Sequence, residues 1–189
     1  IFWLVNNIFQ ENVGGEQGSD LIIKTISSDN DYGQKTFTEQ MKKKESCGIR
    51  NNKFKESRSS FGGSITLMEN SKICLIGNTF ENSYAVAGGC IYIKERSRLL
   101  IFNTFFSGSK ASSQGGGIYL VDSSLNLENL TIEGFSSFEG GFIFAMTSNI
   151  IMENVKFSFS FAHYGAFAFV VSTNIIMKNT FFSKLSANT

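Results

Sequence analysis

One short pattern recurs down this chain at a nearly fixed interval, and that interval restricts what the chain can fold into. An Asn stands three residues before a Phe or Ile, and eight to ten residues later comes a Gly-Gly pair followed by an aliphatic residue. The Asn landmark falls at Asn6, Asn51, Gly77 (a substitute for Asn), Asn103, Asn129, Asn154 and Asn179, with spacings of 45, 26, 26, 26, 25 and 25. The partners are Phe9, Phe54, Phe80, Phe106, Ile132, Phe157 and Phe182. A repeat of about 25 residues with Asn and Gly at fixed phases is the signature of a solenoid, in which each repeat buries its apolar face only against its neighbours.

Aligning the repeats on the Asn yields columns. Ile73, Leu99, Leu125, Ile150 and Ile175 form one, and Leu75, Ile101, Leu127, Met152 and Met177 form a second two residues on. Both are apolar throughout, whereas the intervening positions are mixed, and a period of two with one apolar face is a β-strand against a core. After the Gly-Gly pair, Ile65, Ile91, Ile118, Ile143 and Ala168 form a third inward column, and Leu67, Ile93, Leu120, Ala145 and Val170 a fourth. Two such strands, with a third short one at the Phe, make a coil whose strands pair in parallel with those of the next. The predicted fold is all-β, a right-handed single-stranded parallel β-helix of about 25 residues per coil. A helical solenoid is the rival; it requires a period of 3.6, and Gly, Ser, Asn and β-branched residues crowd every repeat here.

The Asn column has a physical reason. Asn tolerates the left-handed backbone of a sharp corner, and Gly77 tolerates it better. Stacked Asn side chains also hydrogen-bond along an axis, so Asn51, Asn103, Asn129, Asn154 and Asn179 are expected to form a structural ladder. The first interval exceeds the others by about 20 residues, which places a polar insertion at 24–47 within a single β-helical segment 1–189. Either it is a disordered bulge or, as loops leaving solenoids often do, it carries function. Both chain ends lie in repeat phase without a polar cap, which reads as part of a longer protein.

At this point the motifs resemble a known family. Gly62-Gly63-Ser64-Ile65 and Gly88-Gly89-Cys90-Ile91 resemble the GGA-[ILV] motif of the polymorphic outer membrane protein repeats, within the pectin-lyase-like superfamily. Phe9-Gln10-Glu11-Asn12 resembles their companion FxxN motif. Phe80-Glu81-Asn82 is one residue short, and Ile132 replaces Phe. The resemblance covers nearly the whole chain outside the insertion and implies a β-helical surface passenger used in adhesion or as a stalk, extracellular or at the cell surface. Any membrane association would run through regions outside this segment.

The candidate chemistry is sparse. A net charge of +1 gives no reason to expect a nucleic-acid partner. Cys47, Cys74 and Cys90 lack metal-site spacing, and their odd number and scattered phases read as free, partly buried thiols. The Asp29-x-Asp31-x-Gly33 stretch resembles the start of a calcium loop but lacks the third acidic ligand and the bidentate Glu at the twelfth position, and reads as a chance match. The single His, His163, stands just before a corner. Glu128 and Glu153 share an outward column with Lys178, either an acid pair or a solvated charge pattern. The expectation is therefore no catalytic residue, no cofactor and no metal. Asn129-Leu130-Thr131 fits the N-glycosylation pattern, but a place in the corner ladder would leave Asn129 unmodified.

The most informative outward feature is aromatic. Tyr92, Tyr119, Phe144 and Phe169 are expected to stack up one face, flanked by Phe142 and Phe167. Such a face stabilises its own sheet, packs on a partner protein or covering segment, or stacks sugar rings. The sequence reading is a non-enzymatic scaffold or adhesin module that touches protein or glycan there. The alternative is a polysaccharide lyase or glycoside hydrolase-like β-helix, acting on carbohydrate or having lost that activity.

Overall fold

The structure is a computed structural model that describes residues 4–15, 20–24 and 47–188. The insertion between Lys24 and Cys47, with Asp29, Asp31 and Gly33, lies outside the described residues.

Every described strand pairing is parallel, and each joins a residue to its equivalent one coil on, as with Ile91, Ile118 and Ile143. The aromatic-aliphatic column makes seven rungs, from Phe9 through Phe54, Phe80, Phe106, Ile132 and Phe157 to Phe182. A second sheet of six strands begins at Leu21–Lys24 and ends at Ala168–Val171. The coil has four straight segments, one more than the repeat suggested: for example Arg98–Phe102, Phe105–Ser107, Lys110–Gln114 and Ile118–Val121.

Four corners join them, and each corner is a residue with positive φ. In one coil these are Asn129 (56°), Gly134 (75°), Gly140 (67°) and Thr147 (51°); in the next, Asn154 (54°), Phe159 (55°), Gly165 (66°) and Ser172 (48°). The whole Asn landmark column adopts this conformation, including Gly77 at 66°. At the Gly-Gly corner the second Gly serves close approach. A Cβ on Gly89 would meet the Gly116 carbonyl oxygen and lie 2.6 Å from that of Lys110 on the next coil.

The predicted inward columns are the core. Leu75, Ile101, Leu127 and Met152 are buried, as are Ile65, Ile91, Ile118 and Ile143, and burial falls toward both ends of the stack and at Ile73, which is half-buried. Phe9, Phe54, Phe80 and Phe106 stack with centroids 4.7–5.0 Å apart. Fully burying each such side chain is worth about 1.5–3 kcal/mol. Polar ladders line the corners: Ser71, Ser97, Ser123 and Ser148 each donate a backbone N–H to the hydroxyl of the next rung, ending at Thr173. This satisfies buried polar groups that would otherwise be costly.

Candidate functional site

The aromatic column forms as expected in register. Tyr92 pairs with Tyr119, Tyr119 with Phe144, and Phe144 with Phe169. The rings lie nearly parallel, with centroids 4.6, 5.1 and 5.8 Å apart. Phe61 tilts onto the Tyr92 end at 5.1 Å. Register imposes this stack, because parallel pairing holds equivalent residues about 4.8 Å apart. It also decides what the stack can offer. Each interior ring spends both faces on its neighbours, so only edges and the two hydroxyls reach solvent. Phe144 is 5% exposed. Burial raises the Tyr92 and Tyr119 phenols above their usual value, helped at Tyr92 by Glu95 and at Tyr119 by Tyr92.

Two of the six expected face residues are not on this face. Phe142 is fully buried in the core, against Phe106, Phe135 and Phe157 at 4.9–5.6 Å. Phe167 packs on Phe157 and Phe182. The column Ser64, Cys90, Gly117, Phe142 and Phe167 sits at the corner, where the chain turns and strict alternation lapses, so both it and the next residue face inward. Space for Phe142 comes from two small neighbours. Ile132 interrupts the Phe stack, and a Cβ on Gly117 would strike the Phe142 ring.

The Asn column holds the corner but is not the buried ladder. Asn51, Asn103, Asn129, Asn154 and Asn179 are all exposed, and the hydrogen bond between rungs in this column joins the Asn179 Nδ2 to the Asn154 Oδ1 at 3.1 Å. The internal ladder runs one residue later. The Asn7 backbone N–H donates to Asn52 Oδ1 and that of Asn52 to Asn78 Oδ1, both at 2.9 Å, and that of Asn78 to Thr104 Oγ1 at 3.4 Å. It ends where Leu130 and Val155 take over the column. Asn129 is therefore exposed at a corner instead of locked in a stack, which removes the reason for expecting it to be shielded from glycosylation.

The thiol expectation also fails in part. Cys47 and Cys74 form a disulfide with Cα atoms 4.7 Å apart. Their separation of 27 residues is one coil plus one position, a signal that the scattered phases concealed. The bridge lies outside the core wall and packs with Leu100, Phe102 and Ile76 on the outward side of that sheet. It pins the end of the insertion to the coil body. Cys90 is a buried free thiol, pushed up to about 12 by burial against a hydrogen bond from Ser109.

Beside the disulfide, the same outward face opens into a groove of about 320 Å3, lined among others by Arg98, Asn126, Asn149, Ile151 and Asn174. Glu128 and Glu153 stand in register at its margin, and Lys178 pairs with Glu153 at 2.9 Å. That arrangement is an exposed charge column. His163 stacks on Phe138 at 4.8 Å, and Tyr164 meets both edge-on. The His thus belongs to an exposed aromatic cluster. Among the described residues, no group of three or more His, Cys, Asp or Glu could hold a metal ion.

The family model described as "right handed beta helix region" matches residues 6–184. The chain belongs to the right-handed β-helix family. No curated protein and no solved structure matches it.

Proposed function

We propose that this right-handed β-helix is a non-enzymatic extracellular or cell-surface scaffold or adhesin module that makes protein or glycan contacts through its outward columns. The observation that carries the reading is apolar surface on coils that already have neighbours on both sides. Phe138 is 49% exposed, Tyr164 43% and Ile151 45%, and each lies on a wall whose inward side is fully packed. Core packing accounts for the inward residues and not for these; Phe138 and Tyr164 touch each other, and exposed apolar surface of this kind marks contact sites. The Cys47–Cys74 bridge supports an oxidising compartment, because structural disulfides persist outside the reducing cytosol. The stacked tyrosines serve mainly as a ladder that stiffens the sheet, since their faces are occupied.

The test is retention of the purified chain on immobilised neutral and acidic polysaccharides and on purified surface proteins, repeated with Phe138→Ser and Tyr164→Ser. The reading expects retention on at least one class, reduced by one of these substitutions. Retention on none of them, with the chain folded, would oppose it.

The carbohydrate-enzyme reading keeps one observation in its favour: the groove by Arg98 adjoins the Glu128–Glu153 column. It would require those carboxylates to act across the groove, yet they stand on adjacent rungs of one wall, about 4.8 Å apart at the backbone.

A further inference from the structure

The wall after the second corner carries a feature outside the aromatic column. Ser57, Ser83 and Ser109 are buried at the start of this segment, so the following residues, Arg58, Tyr84 and Lys110, point outward and are exposed. Parallel pairing places these three on consecutive rungs. The corner residue before them changes from Glu56 and Asn82 to Gly108 and Gly134. Two successive rungs therefore lack a corner side chain, and a groove of about 360 Å3 opens, lined by Arg58, Asn82, Ser83, Tyr84, Gly108 and Lys110.

Three properties bear on what this groove can hold. Tyr84 is 43% exposed and touches no other aromatic ring among the described residues, whereas Tyr92 and Tyr119 stack on their neighbours. Arg58 and Lys110 have no ion-pair partner among the described residues. Three carboxylates close by are engaged: Glu56 with Lys55 at 3.3 Å, Glu81 with Lys53 at 3.1 Å, and Asp20, which accepts hydrogen bonds from Ser57 and Asn12. Two cations with no ion-pair partner among the described residues thus flank an exposed tyrosine.

We propose that this groove binds an anionic polysaccharide in which charge recurs on every second sugar ring. The spacing carries the specificity. Arg58 and Lys110 are two rungs apart, about 9.6 Å at the backbone, with Tyr84 midway. A pyranose ring in an extended chain advances about as far as one coil. Acidic groups on alternate rings then meet the two cations, while the intervening ring lies on Tyr84. The Arg58 guanidinium presents a planar fork to a carboxylate or sulfate, and Lys110 contributes a point charge. Asn82 supplies an amide donor and acceptor for ring hydroxyls. This inference rests on the glycan half of the proposed function and names both its ligand class and a different face.

The experiment immobilises a glycan charged on alternate rings, one charged on every ring, and a neutral one, and measures retention of the chain at low and high salt. The expected order is alternate-ring first, every-ring second and neutral last, with binding weakened by salt because both cations are exposed. The Arg58→Gln/Lys110→Gln variant is expected to lose at least about tenfold in affinity, as is Tyr84→Ala, whereas Tyr119→Ala leaves it unchanged. All four substituted positions lie outside the core, and circular dichroism confirms folding. Equal retention on charged and neutral glycans, or affinity unaffected by the double charge substitution, overturns the inference while leaving a glycan contact elsewhere. Retention on proteins alone overturns it too, and leaves the scaffold reading standing.

Discussion

The chain contains two aromatic stacks with nearly the same geometry and opposite consequences. Phe9, Phe54, Phe80 and Phe106 run up the inside, and Tyr92, Tyr119, Phe144 and Phe169 run up the outside of another wall. Centroid spacings are 4.7–5.0 Å inside and 4.6–5.8 Å outside. Parallel register imposes the stack in both places, so ring geometry says nothing of importance by itself. What differs is the solvent side. From Phe54 to Phe106 the inner rings are 0% exposed and closed in by the opposite wall; the outer rings are half-buried apart from Phe144. Stacking therefore follows from the fold, and burial decides whether a stack stabilises it strongly.

The comparison can be broken most severely at the core. Ile118→Asp would place a charge among fully buried aliphatic residues, and the cost exceeds what a marginally stable domain can bear. Circular dichroism is expected to show an unfolded chain; a normal spectrum would mean that the inward register is wrong. Next in size is the paired truncation. Phe106→Ala should cost about 3–5 kcal/mol by denaturant unfolding, and Tyr119→Ala only about 1 kcal/mol, in the range of a single exposed aromatic pair. Equal losses would erase the distinction between the stacks.

Cys74→Ser tests whether the outward side adds stability without a core. Removing a bridge across 27 residues should cost about 3 kcal/mol, and a reductant should reproduce that loss in the parent and add nothing in the variant. A gentler probe uses alkali. The Tyr92 and Tyr119 phenols are raised above 10.0 in the fold, so the fold favours their protonated form. Their contribution is fully present below pH 10 and is lost as pH climbs through the raised values. The double Tyr92→Phe/Tyr119→Phe variant should lose less stability than the parent above pH 10, while Phe106 substitutions leave the slope unchanged. The smallest effect is Glu153→Ala, expected within about 0.5 kcal/mol in thermal unfolding because its pair with Lys178 is exposed.

The architecture was legible because corners and core impose chemistry at every turn. The positive-φ column accepts Asn or Gly, the close approach at Gly89 rejects a side chain, and the inward columns stay aliphatic for six or seven rungs. What escaped the sequence depends on contacts between columns. Alternation places Phe142 outward, but it lapses at the Gly corner, and the ring turns inward against Phe106 and Phe157, where Ile132 interrupts the Phe stack and Gly117 carries no side chain. The internal Asn ladder lies one residue after the corner column, since Asn51-Asn52 offers two Asn in sequence and only the second turns inside. The Cys47–Cys74 bridge joins positions one coil plus one residue apart, so the two cysteines fall in different columns. The groove at Arg58, Tyr84 and Lys110 carries no motif, only an outward phase beside two glycine corners.

The central functional claim is that this β-helix makes contacts and performs no chemistry on what it touches. Product analysis tests it most directly: the purified chain is incubated at length with neutral, uniformly acidic and alternately charged polysaccharides, and new chain ends are counted. The account predicts none above the protein-free control, even for a polysaccharide that retains the chain. New ends that disappear in Glu128→Gln or Glu153→Gln would contradict it and locate a catalytic site beside the Arg98 groove.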